Sequence, residues 1–233
     1  MTADDSRRLS LQNVSVHLGD RAALDAVTLT LDQPRIAVIG ANGSGKSTFA
    51  RLLGGLVAPT GGRLSVHGLD PVRQSSALRR RVGIVFSNPD AQIVMPTVAE
   101  DAAFSLRAER IPRAESAARV TAALARFGLT ELADRAAHDL SGGQKQLLAL
   151  CGALIRRPAL VIADEPTAYL DARNSRIIAD HLLGDHGGQL VLVTHDLRLA
   201  GRCDVAVRFD DGRLTDLGDP AAVIDRYETS LRC

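Results

Sequence analysis

Over the first thirty or so residues, apolar and polar positions alternate. Leu9, Leu11, Val14 and Val16 form one apolar set, and Leu24, Val27, Leu29 and Leu31 form another. That period of two predicts a pair of antiparallel strands joined around Gly19-Asp20. The pattern then changes to an unbroken apolar run, Arg35-Ile36-Ala37-Val38-Ile39, which ends in a glycine loop and is followed by helical spacing from about Lys46. Such a run suits a parallel strand covered on both faces. Leu160–Ala163 and Leu190–Thr194 repeat it, each followed by polar residues. Open α/β sheets bind their ligands at those carboxyl ends. Between Thr97 and Ala137 the spacing becomes helical. Thr97 and Glu100 have the form of a capping box, and over Arg113–Phe127 the residues Ala117, Val120, Leu124 and Phe127 fall on one predicted face. The block reads as an all-helical insertion in the sheet, extended by a helical run from about Gln146 to Arg156. Short strands at Val205–Phe209 and Arg213–Leu217 and a helix over Asp219–Leu231 complete an α/β chain.

Composition narrows the reading by exclusion. The 233 residues carry 28 basic against 27 acidic side chains. This balance gives no bulk field for wrapping nucleic acid or lying on an anionic membrane, so no nucleic-acid partner is expected. Seven aromatics, none of them Trp, also argue against a base-stacking surface. The longest nearly unbroken apolar run, Leu147–Ile155, falls far short of the roughly 18–20 residues of a membrane-spanning helix. MTADDSRRLS has no apolar core after its arginines, and no secretory signal is expected from it. Cys151, Cys203 and Cys233 are too far apart for a zinc knuckle or a redox pair. They read as reduced thiols, with Cys151 buried in its apolar helix. The basic residues are oddly distributed: 26 are Arg and only Lys46 and Lys145 are Lys.

Three segments carry chemistry. Gly40-Ala41-Asn42-Gly43-Ser44-Gly45-Lys46-Ser47, followed by Thr48, has the spacing of a phosphate-binding loop between strand and helix. Its glycines let successive N–H groups face phosphate oxygens at the positive end of the helix dipole. Lys46 supplies a compact charge for the β and γ phosphates, and the Ser47 hydroxyl can ligate Mg²⁺. Leu160-Val161-Ile162-Ala163-Asp164-Glu165 is an apolar strand ending in two acids. Asp164 suits Mg²⁺ binding through water, and Glu165 suits polarising the attacking water. Leu140-Ser141-Gly142-Gly143-Gln144 places small residues and an amide before a helix, a second anion-binding arrangement. The helical insertion separates it from Lys46, so its phosphate partner is expected on another molecule.

Taken together, these residues resemble the nucleotide-binding subunit of an ATP-binding cassette (ABC) protein over nearly the whole chain. GANGSGKS, LSGGQ, VIADE, a D-loop at Ala168–Asp171 and His195 after the strand LVLVT occur in the family's order. The resemblance implies a P-loop NTPase cassette with three parts. These are an N-terminal antiparallel β subdomain over about 1–34, a RecA-like parallel-sheet core over 35–90 and 158–233, and an inserted α-helical subdomain over 91–157. It also implies two cassettes closing head to tail on ATP and Mg²⁺, with Ser141, Gly142, Gly143 and Gln144 acting in trans. Lys46, Glu165 and His195 would serve catalysis, His195 by contacting the γ-phosphate. Asp171 would couple the two sites.

Val82–Phe104, VGIVFSNPDAQIVMPTVAEDAAF, resembles the coupling-loop region of energy-coupling-factor transporter ATPases. The connector QPRIAVIGANGSGKST and the run IVMPTVAED are most similar to biotin-transporter ATPases of actinobacteria. This implies a peripheral protein on the cytoplasmic face of the membrane, with an integral coupling subunit and a membrane substrate-binding subunit as partners. Cobalt or nickel importer ATPases share the pattern, and soluble cassette ATPases such as those of iron–sulfur assembly are the alternative from another class. Two positions depart from the family. Ser87 stands where Gln is usual, leaving a water bridge, or Gln92, for the coupling role. Leu18 stands where an aromatic ring often stacks on adenine, which implies relaxed base selectivity, with His17 a poor substitute. Arg79-Arg80-Arg81 reads as a solvated helix face, and Lys145 as a bystander beside one essential lysine, Lys46.

Overall fold

A computed structural model describes residues 7–232 of the chain; Cys233 lies outside them. β1 (Leu9–Leu18) and β2 (Arg21–Leu31) pair antiparallel across the turn at Gly19-Asp20. β3 (Arg35–Ile39) then enters a second sheet, α1 (Lys46–Leu53) follows the glycine loop, and β4 (Gly61–Val66) returns to pair with β1. The small sheet therefore has the order β2-β1-β4. This corrects the expected boundary, which confined the antiparallel unit to 1–34 and placed 61–66 in the ATPase core. The strand opens on two glycines, which disguise it. Gly62 has φ +80°, and a Cβ there would lie 2.2 Å from the Asn13 carbonyl oxygen, so only glycine lets β4 approach β1.

The chain continues through α2 (Ser75–Arg81), β5 (Val82–Val85) and a 3-10 turn at Pro89–Ala91. α3 (Val98–Phe104), α4 (Arg113–Arg126) and α5 (Gly142–Leu154) form the helical insertion before β6 (Leu160–Asp164). α6 (Ala172–Leu183), which the apolar pattern did not reveal, leads to β7 (Gln189–Val193), α7 (Leu197–Ala200), β8 (Val205–Asp210), β9 (Arg213–Gly218) and α8 (Pro220–Ser230). The large sheet runs β5-β6-β7-β3-β8-β9, parallel except for β9.

The unbroken apolar runs now have a physical cause. In β3, Ala37 and Ile39 face one core cluster while Ile36 and Val38 face the other. β6 and β7 divide in the same way: Val161, Ala163, Leu190 and Leu192 on one side, Leu160, Ile162, Val191 and Val193 on the other. A period of two with both faces covered makes every position apolar. The first cluster continues without a break into the insertion through Val98, Ala102, Val120, Leu124, Phe127 and Leu148. The second fills the space under the small sheet and α1.

Local signals hold with two adjustments. The Thr97–Glu100 capping box is formed, with the Thr97 side chain accepting from the Glu100 N–H and Glu100 accepting from the Thr97 N–H. α5 begins four residues earlier than its apolar spacing predicts, because Ser141 and Gln144 form a second capping box. In α4, Val120, Leu124 and Phe127 are buried as expected, but Ala117 is exposed. Ser116, four residues before Val120, takes the inner position.

Phe209, fully buried in β8, meets Phe49 of α1 with ring centroids 5.0 Å apart. Truncation there removes one of the links between α1 and the sheet. Phe209→Ala should cost about 3–5 kcal/mol, read as a lower urea midpoint at unchanged slope.

Candidate active site

The site forms where three strands end level. Val38 of β3 pairs with Val193 of β7, and Val193 pairs on its other side with Asp164 of β6. Loops leaving these ends carry residues 40–48, 165 and 195, so groups more than a hundred positions apart converge. Gly40 (φ +140°) turns the chain out of β3, and a Cβ on it would lie 2.1 Å from the Phe209 carbonyl oxygen. Gly45 (φ +105°) is the residue preceding α1, with Ala23 of β2 packed against it. The loop is thus clamped between β8 and β2, its curvature dependent on missing side chains.

Lys46 is buried, and its Nζ donates to the Gly40 and Ala41 carbonyls, each at 2.8 Å. Burial pushes this ammonium below the ordinary lysine value, while the Glu165 and Asp164 carboxylates hold it up. The Ser47 hydroxyl donates to Asp164 Oδ1 at 3.0 Å, joining α1 to β6. Burial raises the Asp164 carboxyl, opposed by the Ser47 hydrogen bond and by Arg51 and Lys46. One hydroxyl and one carboxylate are hard oxygen donors. They fit Mg²⁺, which takes its other ligands from phosphates and water. Ser44 Oγ is buried without a hydrogen-bond partner, a polar atom facing inward within the same loop.

Glu165 follows β6 with φ +52°, its N–H donating to the Val193 carbonyl. Its carboxylate Oε2 lies 2.7 Å from His195 Nδ1. The two side chains expected to act on the attacking water and the γ-phosphate are therefore in contact. A cavity of about 250 Å³ beside them is lined by Leu18, Asn42, Gly43, Gly45, Lys46, Ser47, Thr48 and Glu165. Leu18 is half exposed there and supplies apolar surface without a ring. His17 points elsewhere, its Nδ1 bonded to Thr60 Oγ1 at 3.0 Å. Arg21, which no sequence pattern singles out, lines the cavity and donates to the Gly43 carbonyl at 2.9 Å.

No residue from 141–144 lines this cavity. Ser141 and Gln144 cap α5 instead: Gln144 Oε1 accepts from the Ser141 N–H at 2.9 Å, and the Gln144 N–H donates to Ser141 Oγ at 3.4 Å. Gly143 is buried against Asn174, whose side chain would sit 2.5 Å from an added Cβ. Asn174 is in turn held by Asp171, the N-cap of α6, through two hydrogen bonds of 2.8 Å. Asp171 and Gly143 are thus linked through Asn174 within one chain.

The loop after β5 is tied to α5 by side-chain contacts. Gln92 is committed to structure: its Nε2 donates to the Ile84 and Ala149 carbonyls and its Oε1 accepts from the Phe86 N–H. This amide ties β5 to α5. Ser87 is half-buried two residues beyond the end of β5. Lys145, expected to be a bystander beyond the glycines, has its Nζ in a 2.7 Å ion pair with Asp90 Oδ1. Arg79 and Arg80 are exposed, consistent with a solvated face. Burial pushes the Cys151 and Cys203 thiols up to about 12, so neither is a nucleophile at neutral pH.

A parallel sheet whose strand ends gather a glycine loop, a buried lysine, paired acids and a histidine defines a P-loop nucleoside triphosphatase. The ABC transporter family model matches residues 24–168, and the chain belongs to the ABC transporter ATPase family. It is 42% identical to the biotin transport ATP-binding protein BioM of Rhizobium etli, over 94% of this chain and 97% of that protein. It is 43% identical to the energy-coupling factor transporter ATP-binding protein EcfA1 of Symbiobacterium thermophilum, over 87% of this chain and 73% of that one. Among solved structures, cbiO1 from Clostridium perfringens, part of the ABC transporter complex cbiONQ, superposes with a TM-score of 0.84 at 31% identity, covering 95% of this chain and 92% of that one. The protein is an ATP hydrolase of this family.

The two carbonyls that hold Lys46 Nζ suit a compact ammonium, and a planar guanidinium presents its donors in a different geometry. Lys46→Arg should reduce ATP turnover at least a hundredfold in a phosphate-release assay while leaving the thermal midpoint near that of the parent.

Proposed function

We propose that the chain is the ATP-hydrolysing subunit of an energy-coupling-factor importer, acting as one of a pair of cassettes on the cytoplasmic face of the membrane, with biotin as its substrate. The observation that carries this reading is the division of the phosphate machinery. Lys46, Ser47, Asp164, Glu165 and His195 gather at one set of strand ends, while Ser141–Gln144 stand on the helical insertion outside that cavity. A head-to-tail partner brings the second set to the first. The 42% identity to a biotin transport protein over nearly both full lengths supports the substrate.

In this reading the loop N–H groups of residues 41–47 and the Lys46 ammonium bind the triphosphate. Ser47 and Asp164 hold Mg²⁺, which when bound neutralises charge on the β and γ phosphates. Glu165 takes the proton of the attacking water. His195 exchanges its Glu165 contact for the γ-phosphate as the pair closes. Among the described residues no helix is long and apolar enough to cross a membrane, so an integral subunit supplies the membrane path. It would dock beside the cavity of about 150 Å³ lined by Gln92, Phe104 and Ala149, where Val94 and Phe104 expose apolar surface.

Glu165→Gln should trap the closed pair. With ATP and Mg²⁺ it should sediment as a dimer, alone or with its partner cassette, and the trapped species used as bait should recover integral subunits from detergent-solubilised membranes. Absence of any ATP-dependent dimer overturns the paired model, and recovery of soluble scaffold proteins alone overturns the transport reading. Because Leu18 offers adenine no π face, ATP and GTP should compete for the site within about tenfold of each other. Strong discrimination for ATP would assign base recognition to another group.

A further inference from the structure

We infer that Lys145 and Asp90 form a charge relay between the loop that faces the membrane partner and the helix that grips the second nucleotide. The inference rests on the paired-cassette reading above. Lys145 lies one turn into α5, and its N–H donates to the Ser141 carbonyl at 2.8 Å, so its backbone moves with the signature loop. Its side chain, only 18% exposed, reaches out of α5 to Asp90 in the turn Pro89–Ala91. The Asp90 side chain is 65% exposed, and its backbone N–H donates to Asn88 Oδ1 at 3.0 Å.

Two glutamine bonds run alongside: Gln146 Nε2 to the Phe86 carbonyl at 3.0 Å and Gln92 Nε2 to the Ala149 carbonyl at 3.3 Å. Those bonds end on backbone and hold the loop near β5. The ion pair instead joins the tip of the loop to the first turn of α5, the part nearest Ser141. A displacement of residues 88–91 by a docked partner is therefore delivered to the signature loop, and closure on nucleotide is delivered back. Lys145 is a positioning residue, with no contact to the nucleotide site of its own chain.

The test uses the full chain in the Glu165→Gln background, with Lys145→Ala, Asp90→Ala, both together, Lys145→Arg, and the reversed pair Lys145→Asp with Asp90→Lys. ATP affinity of the monomer, measured by calorimetry at low protein concentration, should stay within twofold, because the phosphate loop is untouched. The ATP-driven dimerisation constant, from sedimentation velocity, should weaken about fivefold in each alanine variant and no further in the double variant. Lys145→Arg and the reversed pair should recover to within twofold of the parent. Unchanged dimerisation in both alanine variants overturns the relay, as do losses that add in the double variant or a reversed pair that fails to recover while its thermal midpoint is retained. A parent that binds ATP and never dimerises overturns the paired-cassette reading, and the relay with it.

Discussion

The in-register parallel pairing of β6, β7 and β3 is the constraint on which the rest depends. Asp164 opposite Val193, and Val193 opposite Val38, put three strand ends at one level. Only then can a hydroxyl on α1 reach a carboxylate on β6 at 3.0 Å. A two-residue slip of β7 would carry His195 about 7 Å along the strand direction, out of contact with Glu165. Burial on both faces specifies the register, since a one-residue slip would exchange the residues facing the two cores. The packing of this sheet is thus the precondition for its chemistry.

Charge at the site is balanced between burial and pairing. Lys46 and Asp164 sit close together in a partly desolvated pocket: the Glu165 and Asp164 carboxylates oppose the lowering that burial imposes on Lys46, and Lys46 helps oppose the rise that burial imposes on Asp164. The glycine loop tolerates the crowding because Gly40 and Gly45 occupy positive-φ conformations against carbonyls of β8 and β2. A triphosphate arriving here meets donors held in place by the surrounding packing, so little reorganisation is needed on binding.

The helical insertion shares its core with the sheet and is tied to it on two sides. On one, Asp171 and Asn174 of α6 press on Gly143; on the other, Asp90, Phe86 and Gln92 hold α5 to the loop after β5. α5 therefore links residues 171–174 and the loop after β5 within one chain. That a serine stands at position 87 matters less to this linkage than the glutamines and the ion pair around it.

The sequence alone was enough for whatever depends on short-range pattern. The apolar runs of β3, β6 and β7, the capping box at Thr97, the phosphate loop and the Asp164-Glu165 pair all follow from local periodicity or from spacing that a single chemistry demands. β4 was hidden because its partner, β1, lies some fifty residues away and its opening glycines carry no strand preference. Arg21, Asn174 and Asp90 were invisible for a related reason: each is an ordinary surface-type residue whose meaning comes only from a carbonyl, glycine or lysine brought to it by the fold. Lys145 shows the division most clearly. Its rarity beside 26 arginines made it conspicuous, but its place next to the glycines suggested an idle neighbour. Only tertiary packing supplies its partner, because the ion pair spans 55 residues of sequence and 2.7 Å of space.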